Sequence, residues 1–138
     1  MRIEAIKNGL VIDHIEAGKA MEIVGLLKLD ELSCPIAIIK NVPSKRLGKK
    51  DIIKIDADIE VNTDILGYID PNITVNIIKN EEIVEKKHVE LPQMLKNVIY
   101  CKNPRCISSC EQELPHVFKL TDRENRVYRC LYCETKAK

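Results

Sequence analysis

Tryptophan is absent from this chain. Aromatic side chains of any kind are scarce: four tyrosines and one phenylalanine in 138 residues. A chain this poor in aromatics and rich in isoleucine must build its core from branched aliphatic side chains, which favours sheet. Long apolar runs are missing too. No stretch approaches the roughly 20 residues of a membrane-spanning helix. The opening MRIEAIKNGL lacks the long apolar core of a secretory signal. A cytoplasmic protein with no membrane partner is therefore expected. In that setting six cysteines argue against a disulfide framework and for metal or redox chemistry. Only Cys34 lies outside the stretch from Cys101 to Cys133, so the cysteines are a local feature.

Net charge is also nearly lacking, at +1, but the balance hides an asymmetry. Residues 1–95 carry 13 Lys and Arg against 16 Asp and Glu, and residues 96–138 carry 9 against 5. The excesses of −3 and +4 mark two units, 1–95 and 96–138, the second basic.

In the first unit the hydrophobic period changes along the chain. Residues 1–11 read as a short strand region broken by the turn signal KNG. AGKAMEIVGLLKL places Ala20, Ile23, Val24 and Leu27 on one helix face. CPIAIIKNV (34–42) is a β-rich run, followed by a basic polar loop, PSKRLGKK. DIIKIDADIE alternates cleanly: Ile53, Ile55, Ala57 and Ile59 face one way, and Lys50, Lys54, Asp56 and Asp58 the other. NTDILGYID carries an N-cap candidate in Asn62 or Thr63 and stops before Pro71. ITVNIIK and EIVEKKHVE read as two strands about a turn at Asn80-Glu81. The resulting order predicts an α+β, ferredoxin-like antiparallel sheet with two helices on one face. Lys50 and Lys54 then point to the open face. LPQMLKNVI (91–99) reads as a connector.

The cysteine pattern is Cys101-x4-Cys106, 23 residues, then Cys130-x2-Cys133. HVFKLTDRENRVYRC between the pairs reads as a hairpin around DREN, so two short-range thiol pairs can converge on one tetrahedral zinc ion. A segment this small and this poor in large apolar residues needs such a crosslink to fold. Four thiolates leave no open position for catalysis. Cys110, four residues after Cys106, could substitute as a ligand, but Cys101 and Cys106 already complete the pairs, so it reads as an unligated neighbour. A redox dithiol is the rival for Cys130 and Cys133, but redox C-x-x-C pairs open helices in βαβ settings. Cys34 reads as a small buried hydrophobe. A basic, all-β zinc module has two uses: binding nucleic acid, or docking on a protein. The basic residues are scattered and aromatics beyond Phe118, Tyr128 and Tyr132 are few, so protein docking is at least as well supported.

One other constellation carries chemistry. VIDHIEAG places Asp13 and His14 before the first expected helix, where a carboxylate accepts from ribose hydroxyls and an imidazole meets phosphate. Lys50, Lys54, Lys86 and Lys87 lie on separate strands and suit a polyphosphate if they converge. Taken singly each is an ordinary solvated lysine. One Asp-His pair with no nucleophile is a thin basis for an enzyme.

The segments EAIKNGLVIDHIEAG, GKKDIIKID and TVNIIKNEEIV, followed by the C-x4-C and C-x2-C pairs, occur in an order that resembles the regulatory-chain family of aspartate carbamoyltransferase. The resemblance covers nearly the whole chain. It implies a non-catalytic subunit with an N-terminal allosteric domain that binds nucleoside triphosphates and a C-terminal zinc domain that docks on catalytic chains. It implies CTP and ATP as effectors, with UTP a further candidate, and a place in pyrimidine biosynthesis. It implies homodimers through the N-terminal domain and an assembly of two catalytic trimers with three regulatory dimers. By matched position, Ile3, Glu4, Ala5 and Ile6 meet the base, Asp13 the ribose and His14 the phosphates. Lys54 touches base and ribose, Lys86 the triphosphate, Lys50 lies near the phosphates, and Asn76 and Ile83 line the pocket. Cys101, Cys106, Cys130 and Cys133 match the zinc ligands. The chain departs from the family at Glu81, where tyrosine is frequent. A zinc-ribbon nucleic-acid-binding protein is the alternative reading.

Overall fold

The structure, a computed structural model, describes residues 6–45, 48–111 and 113–137. It divides into two compact units between Glu90 and Leu91. In the first, β1 (Gly9–Glu16), α1 (Ala20–Leu26), β2 (Ile36–Ser44), β3 (Gly48–Ile55), α2 (Thr63–Ile69), β4 (Thr74–Lys79) and β5 (Glu82–His88) follow in that order, with one 3-10 turn at Leu29–Glu31. The strands form one sheet in the order β2-β3-β1-β4-β5, every neighbouring pair antiparallel. This is the expected α+β sheet with helices on one face.

Strand alternation decides which face is covered. Leu10, Ile12 and Ile15 of β1, Ile53 and Ile55 of β3 and Val75 of β4 are buried, together with Ala20, Ile23 and Val24 of α1 and Leu66 and Ile69 of α2. These side chains are aliphatic, as the composition requires. Asp51 is buried among them and is satisfied. Its carboxylate accepts from the backbone N–H groups of Gly18 (3.0 Å), Ala20 (3.3 Å) and Asn41 (3.0 Å), so it fixes both the approach to α1 and the irregularity in β2.

Local rules set the remaining boundaries. Asn62 caps α2, its Oδ1 accepting from Asp64 N at 3.0 Å. Asn62→Ala is expected to cost about 1 kcal/mol, read as a lowered midpoint in urea denaturation. Asn80 and Glu81 close the β4–β5 hairpin with φ of 53° and 67°, the positive pair that a right-twisted two-residue turn demands. In α2, Gly67 lies against the Glu90 carbonyl, where any Cβ would collide, so the end of the first unit packs directly on this helix.

The structure departs from the expectations at four places. Asp13 and His14 do not lie at a helix start; β1 continues through them to Glu16, with a bulge between Ile12 and Ile15 and His14 at φ 58°, and α1 begins only at Ala20. The segment 43–50 is largely strand, because β2 and β3 pair as far as Ser44 and Gly48. Ala57 and Ile59 fall beyond β3, in a turn closed by Ile59 N donating to Ala57 O. The expected boundary at 95/96 moves to 90/91, since β6 (Met94–Lys96) is hydrogen-bonded to β7 and belongs to the second unit.

The second unit comprises β6, the one-turn α3 (Ile107–Cys110), β7 (Val117–Asp122) and β8 (Val127–Cys130). Its sheet runs β6-β7-β8, antiparallel, with the expected hairpin about DREN. Leu95, Phe118 and Tyr128 form its small core, with Cys106 and Cys130 buried beside them. Tyr128 Oη donates to Pro92 O, tying β8 to the chain before β6. No helix among the described residues is long and apolar enough to cross a membrane.

Candidate functional sites

The face of the first sheet opposite the helices assembles one set of residues. Val11 stands at its centre. It pairs with Lys54 on β3 and with Asn76 on β4; Asn76 in turn pairs with Lys86 on β5, and Lys54 with Ala37 on β2. Directly opposed residues in antiparallel strands share a face, so Ala37, Lys54, Val11, Asn76 and Lys86 form one transverse row. Two lysines thus flank Asn76 and Val11. A second row lies beside the first, where Ile78 pairs with Ile83 across an irregularity that keeps them on the same side. Ile83 is 61% exposed.

Next to this row the β1 bulge gathers polar groups. Asp13 accepts from Lys50 Nζ at 3.0 Å, both side chains largely covered. Asp13 also accepts from the backbone N–H of His14 at 2.6 Å. The imidazole Nδ1 of His14 lies 3.0 Å from Thr74 Oγ1, and Thr74 is buried. That bond fixes the ring and leaves Nε2 for a ligand. Asn76 Oδ1 is a buried acceptor without a hydrogen-bond partner, the one such side-chain atom among the described residues. A buried carbonyl oxygen left unpaired costs about 1–3 kcal/mol, so this surface is suited to a ligand that donates a hydrogen bond.

Ile3, Glu4 and Ala5 lie outside the described residues. Ile6 is buried, and the chain after it runs beside the β4–β5 turn. There Glu81 N donates to Lys7 O (2.9 Å) and Asn80 N to Asn8 Oδ1 (3.3 Å). Asp13, His14, Lys50, Lys54, Asn76, Ile83 and Lys86 are thus all on one face or at its bulge. Sequence reasoning missed Thr74, which holds His14, and Val11, the middle of the row. Their signal was the register of β4 against β1, which places Thr74 opposite Asp13.

In the second unit the Sγ atoms of Cys101, Cys106, Cys130 and Cys133 all lie within 4.8 Å of one another. Cys101 Sγ is 3.5 Å from Cys133 Sγ, and Cys106 Sγ is 3.6 Å from Cys130 Sγ. Four thiolates about 2.3 Å from one ion stand about 3.8 Å apart, so the cluster has the dimensions of a tetrahedral metal site. Two turns build it. Cys106 N donates to Asn103 O (3.1 Å) on one side, and Glu134 N to Cys130 O (2.9 Å) on the other. Cys101 N donates to His116 Nδ1 (3.2 Å), and the His116 ring meets Tyr100 edge-on with centroids 4.8 Å apart. Cys110 stays outside the cluster: it is exposed, its Sγ 3.6 Å from Pro104 O. Cys34 precedes β2 and is half-buried.

The four thiols are unequal. Hydrogen bonds from the Thr135 side chain and backbone pull Cys133 down to about 6. A bond to the Ser108 side chain lowers Cys106, and burial pushes Cys101 up to about 12. A lowered thiol is already ionised above its pKa and has no proton to give up when metal binds. Metal titration at pH 7.5 is therefore expected to release fewer than four protons per ion, and more as the pH falls through about 6, where Cys133 takes up its proton. Calorimetry in buffers of different ionisation enthalpy counts them.

Comparison with known proteins decides the family. The model of the aspartate carbamoyltransferase regulatory chain, allosteric domain, matches residues 1–90, and that of the same chain's metal binding domain matches residues 93–138. This chain belongs to the aspartate carbamoyltransferase regulatory-chain family. Regulatory chains of Clostridium botulinum are 52% identical over 134 residues, covering 97% of this chain and 92% of theirs. That of Clostridium tetani is 50% identical over 135 residues, 97% and 94% of the two chains. That of Bifidobacterium longum is 41% identical over 138 residues, 100% and 99%. As a regulatory chain it is a non-catalytic subunit. Its two family domains coincide with the two units, the four-cysteine cluster lying in the metal-binding one.

Proposed function

We propose that this chain senses nucleoside triphosphates on the open face of its first unit and transmits their binding to aspartate carbamoyltransferase catalytic chains through its second. The observation that carries this reading is the row Lys54, Val11, Asn76, Lys86, with Asp13, His14 and Lys50 beside it. A nucleoside triphosphate has a flat base, a diol and a polyanion. Val11, Ile78 and Ile83 offer an apolar floor to the base, and the family pattern assigns the base's edge to Ile3, Glu4, Ala5 and Ile6. Asp13 accepts from the ribose hydroxyls. Lys50, Lys86 and the Nε2 of His14 meet the phosphates, and Lys54 spans base and ribose. CTP and ATP are the effectors, with UTP a further candidate.

In the second unit Cys101, Cys106, Cys130 and Cys133 hold one structural zinc ion. Four sulfur donors at tetrahedral spacing suit zinc. The bound ion crosslinks the two thiol pairs and stiffens a module whose own core is three large side chains. A stiff module transmits a bias because it cannot absorb it. An effector shifts the catalytic chain only by as much as it prefers one of its states. The chains pair through their first units, and the assembly acts in the cytoplasm in pyrimidine biosynthesis. Of the aromatic residues of the second unit, Phe118 and Tyr128 are buried, which leaves Tyr100 and Tyr132 to stack on a base in a nucleic-acid reading.

The test is biochemical. A catalytic chain is expected to co-purify with this protein, and CTP to change the aspartate saturation curve of the pair. A curve unmoved by CTP and ATP would refute the sensing role.

A further inference from the structure

We infer that His88, at the far end of β5, is a further nucleotide-binding residue that reads the terminal phosphate of the effector. The inference rests on the nucleotide reading proposed above and adds to that site a specificity for the number of phosphates.

The pairs across β4 and β5 put the open face in order. Nearest the hairpin turn stand Ile78 and Ile83, then Asn76 and Lys86, then Thr74 and His88. Directly opposed residues share a face. His88 therefore lies on the same side as Lys86, and Lys87 between them is turned to the other. The rows change character in one direction: aliphatic, then amide and ammonium, then hydroxyl and imidazole. A nucleotide has the same polarity from its base to its last phosphate. With its base on Ile78 and Ile83 and its phosphates reaching Lys86, its length carries the last of them towards His88. Lys86 and His88 are alternate residues of one strand, about 7 Å apart. That spacing suits a chain of phosphates better than a single one.

A second imidazole stands at the same end. His14 Nδ1 lies 3.0 Å from Thr74 Oγ1, and His88 is the residue opposite Thr74 on β5. Two histidines, one from β1 and one from β5, thus flank one buried threonine. The carboxylate of this row, Asp13, also pairs with Thr74, and Lys50 meets its charge at 3.0 Å. That ion pair neutralises Lys50 and leaves this end of the face short of cations for a polyanion. Lys86 and His88 are exposed, and among the described residues neither is in an ion pair. Glu85, the acidic residue beside Lys86, pairs with Ile77 and turns away with it. An imidazole donates an N–H in either protonation state, so His88 offers a phosphate oxygen a donor that nothing else in its row supplies.

Titration calorimetry with CTP, CDP and CMP on the full chain, metal bound, compares the parent with His88→Ala, His88→Arg and Lys79→Ala. His88→Ala is expected to bind CTP about 3- to 10-fold more weakly, CDP with a smaller loss and CMP unchanged. Its thermal midpoint stays that of the parent, because the side chain is exposed. His88→Arg keeps a donor at the position and is expected to keep the parent's preference for CTP over CDP. Lys79→Ala matches the parent for all three nucleotides. Should His88→Ala fold poorly, His88→Glu puts an anion at the position and is expected to lose CTP by a larger factor than CMP. A parent-like ratio of CTP to CDP affinity in folded His88→Ala overturns the inference and leaves the nucleotide site standing. An equal loss for CTP, CDP and CMP gives His88 a structural part in β5 and overturns the inference as well. A parent that binds none of the three overturns both the inference and the nucleotide reading.

Discussion

Removing the metal from this chain, with a mercurial that displaces it from the thiolates, is expected to release catalytic chains while leaving nucleotide binding largely intact. The argument starts from where each unit keeps its stability. The first unit buries an aliphatic layer drawn from β1, β3, β4, α1 and α2, braced by Asp51. The second has Leu95, Phe118, Tyr128 and the cysteines themselves. Three large apolar side chains do not offset the conformational entropy of nearly fifty ordered residues. A structural zinc contributes about 10–16 kcal/mol in modules of this kind, far more than any contact in the second unit. Loss of the metal therefore melts that unit and the surface it presents. The first unit, with its own core, keeps its sheet and the lysine row. Size-exclusion chromatography reads the release, calorimetry with CTP reads the surviving site, and restored assembly on adding zinc shows that the change is reversible. Co-elution of metal-free protein with catalytic chains would overturn the role given to the cluster.

Regular patterns made much of this legible in advance. Alternation in KDIIKID placed Lys50 and Lys54 on the uncovered face because β3 buries Asp51, Ile53 and Ile55 on the other side. Asn62 or Thr63 marked the start of α2 because a side-chain cap acts within two residues, and Asn62 is the one that caps it. The cysteine pairs were legible because metal geometry demands short-range spacing on both sides of a hairpin. What escaped was set by pairing across the sheet. Nothing local distinguishes Thr74 from any strand threonine; it matters because its register on β1 places it against His14. The bulge at Asp13–His14 keeps the strand running where a helix start was expected to follow, and it aims both side chains at the open face. β6 is three residues long, too short to carry a period, so the boundary was read five residues late.

Lys54→Ala and Lys86→Ala are each expected to weaken CTP binding by about 10- to 100-fold. A hydrogen bond to a charged group contributes about 1.5–3 kcal/mol, and each tenfold step is about 1.4 kcal/mol. The two losses should differ in kind. Lys86 lies on the edge strand β5, so its contribution is mainly charge, and its removal should flatten the salt dependence of binding. Lys54 sits on β3 next to β1, paired with Val11. Its removal should alter discrimination between CTP and ATP more than salt dependence. Lys79 is the control: it is exposed at the end of β4, and alternation turns it away from the row, so Lys79→Ala should leave affinity unchanged. Titration calorimetry on the four proteins separates these cases. Parent-like CTP affinity in both Lys54→Ala and Lys86→Ala would rule out the open face as the site, because no nucleotide pose centred on Val11 and Asn76 avoids both of the cations that flank them.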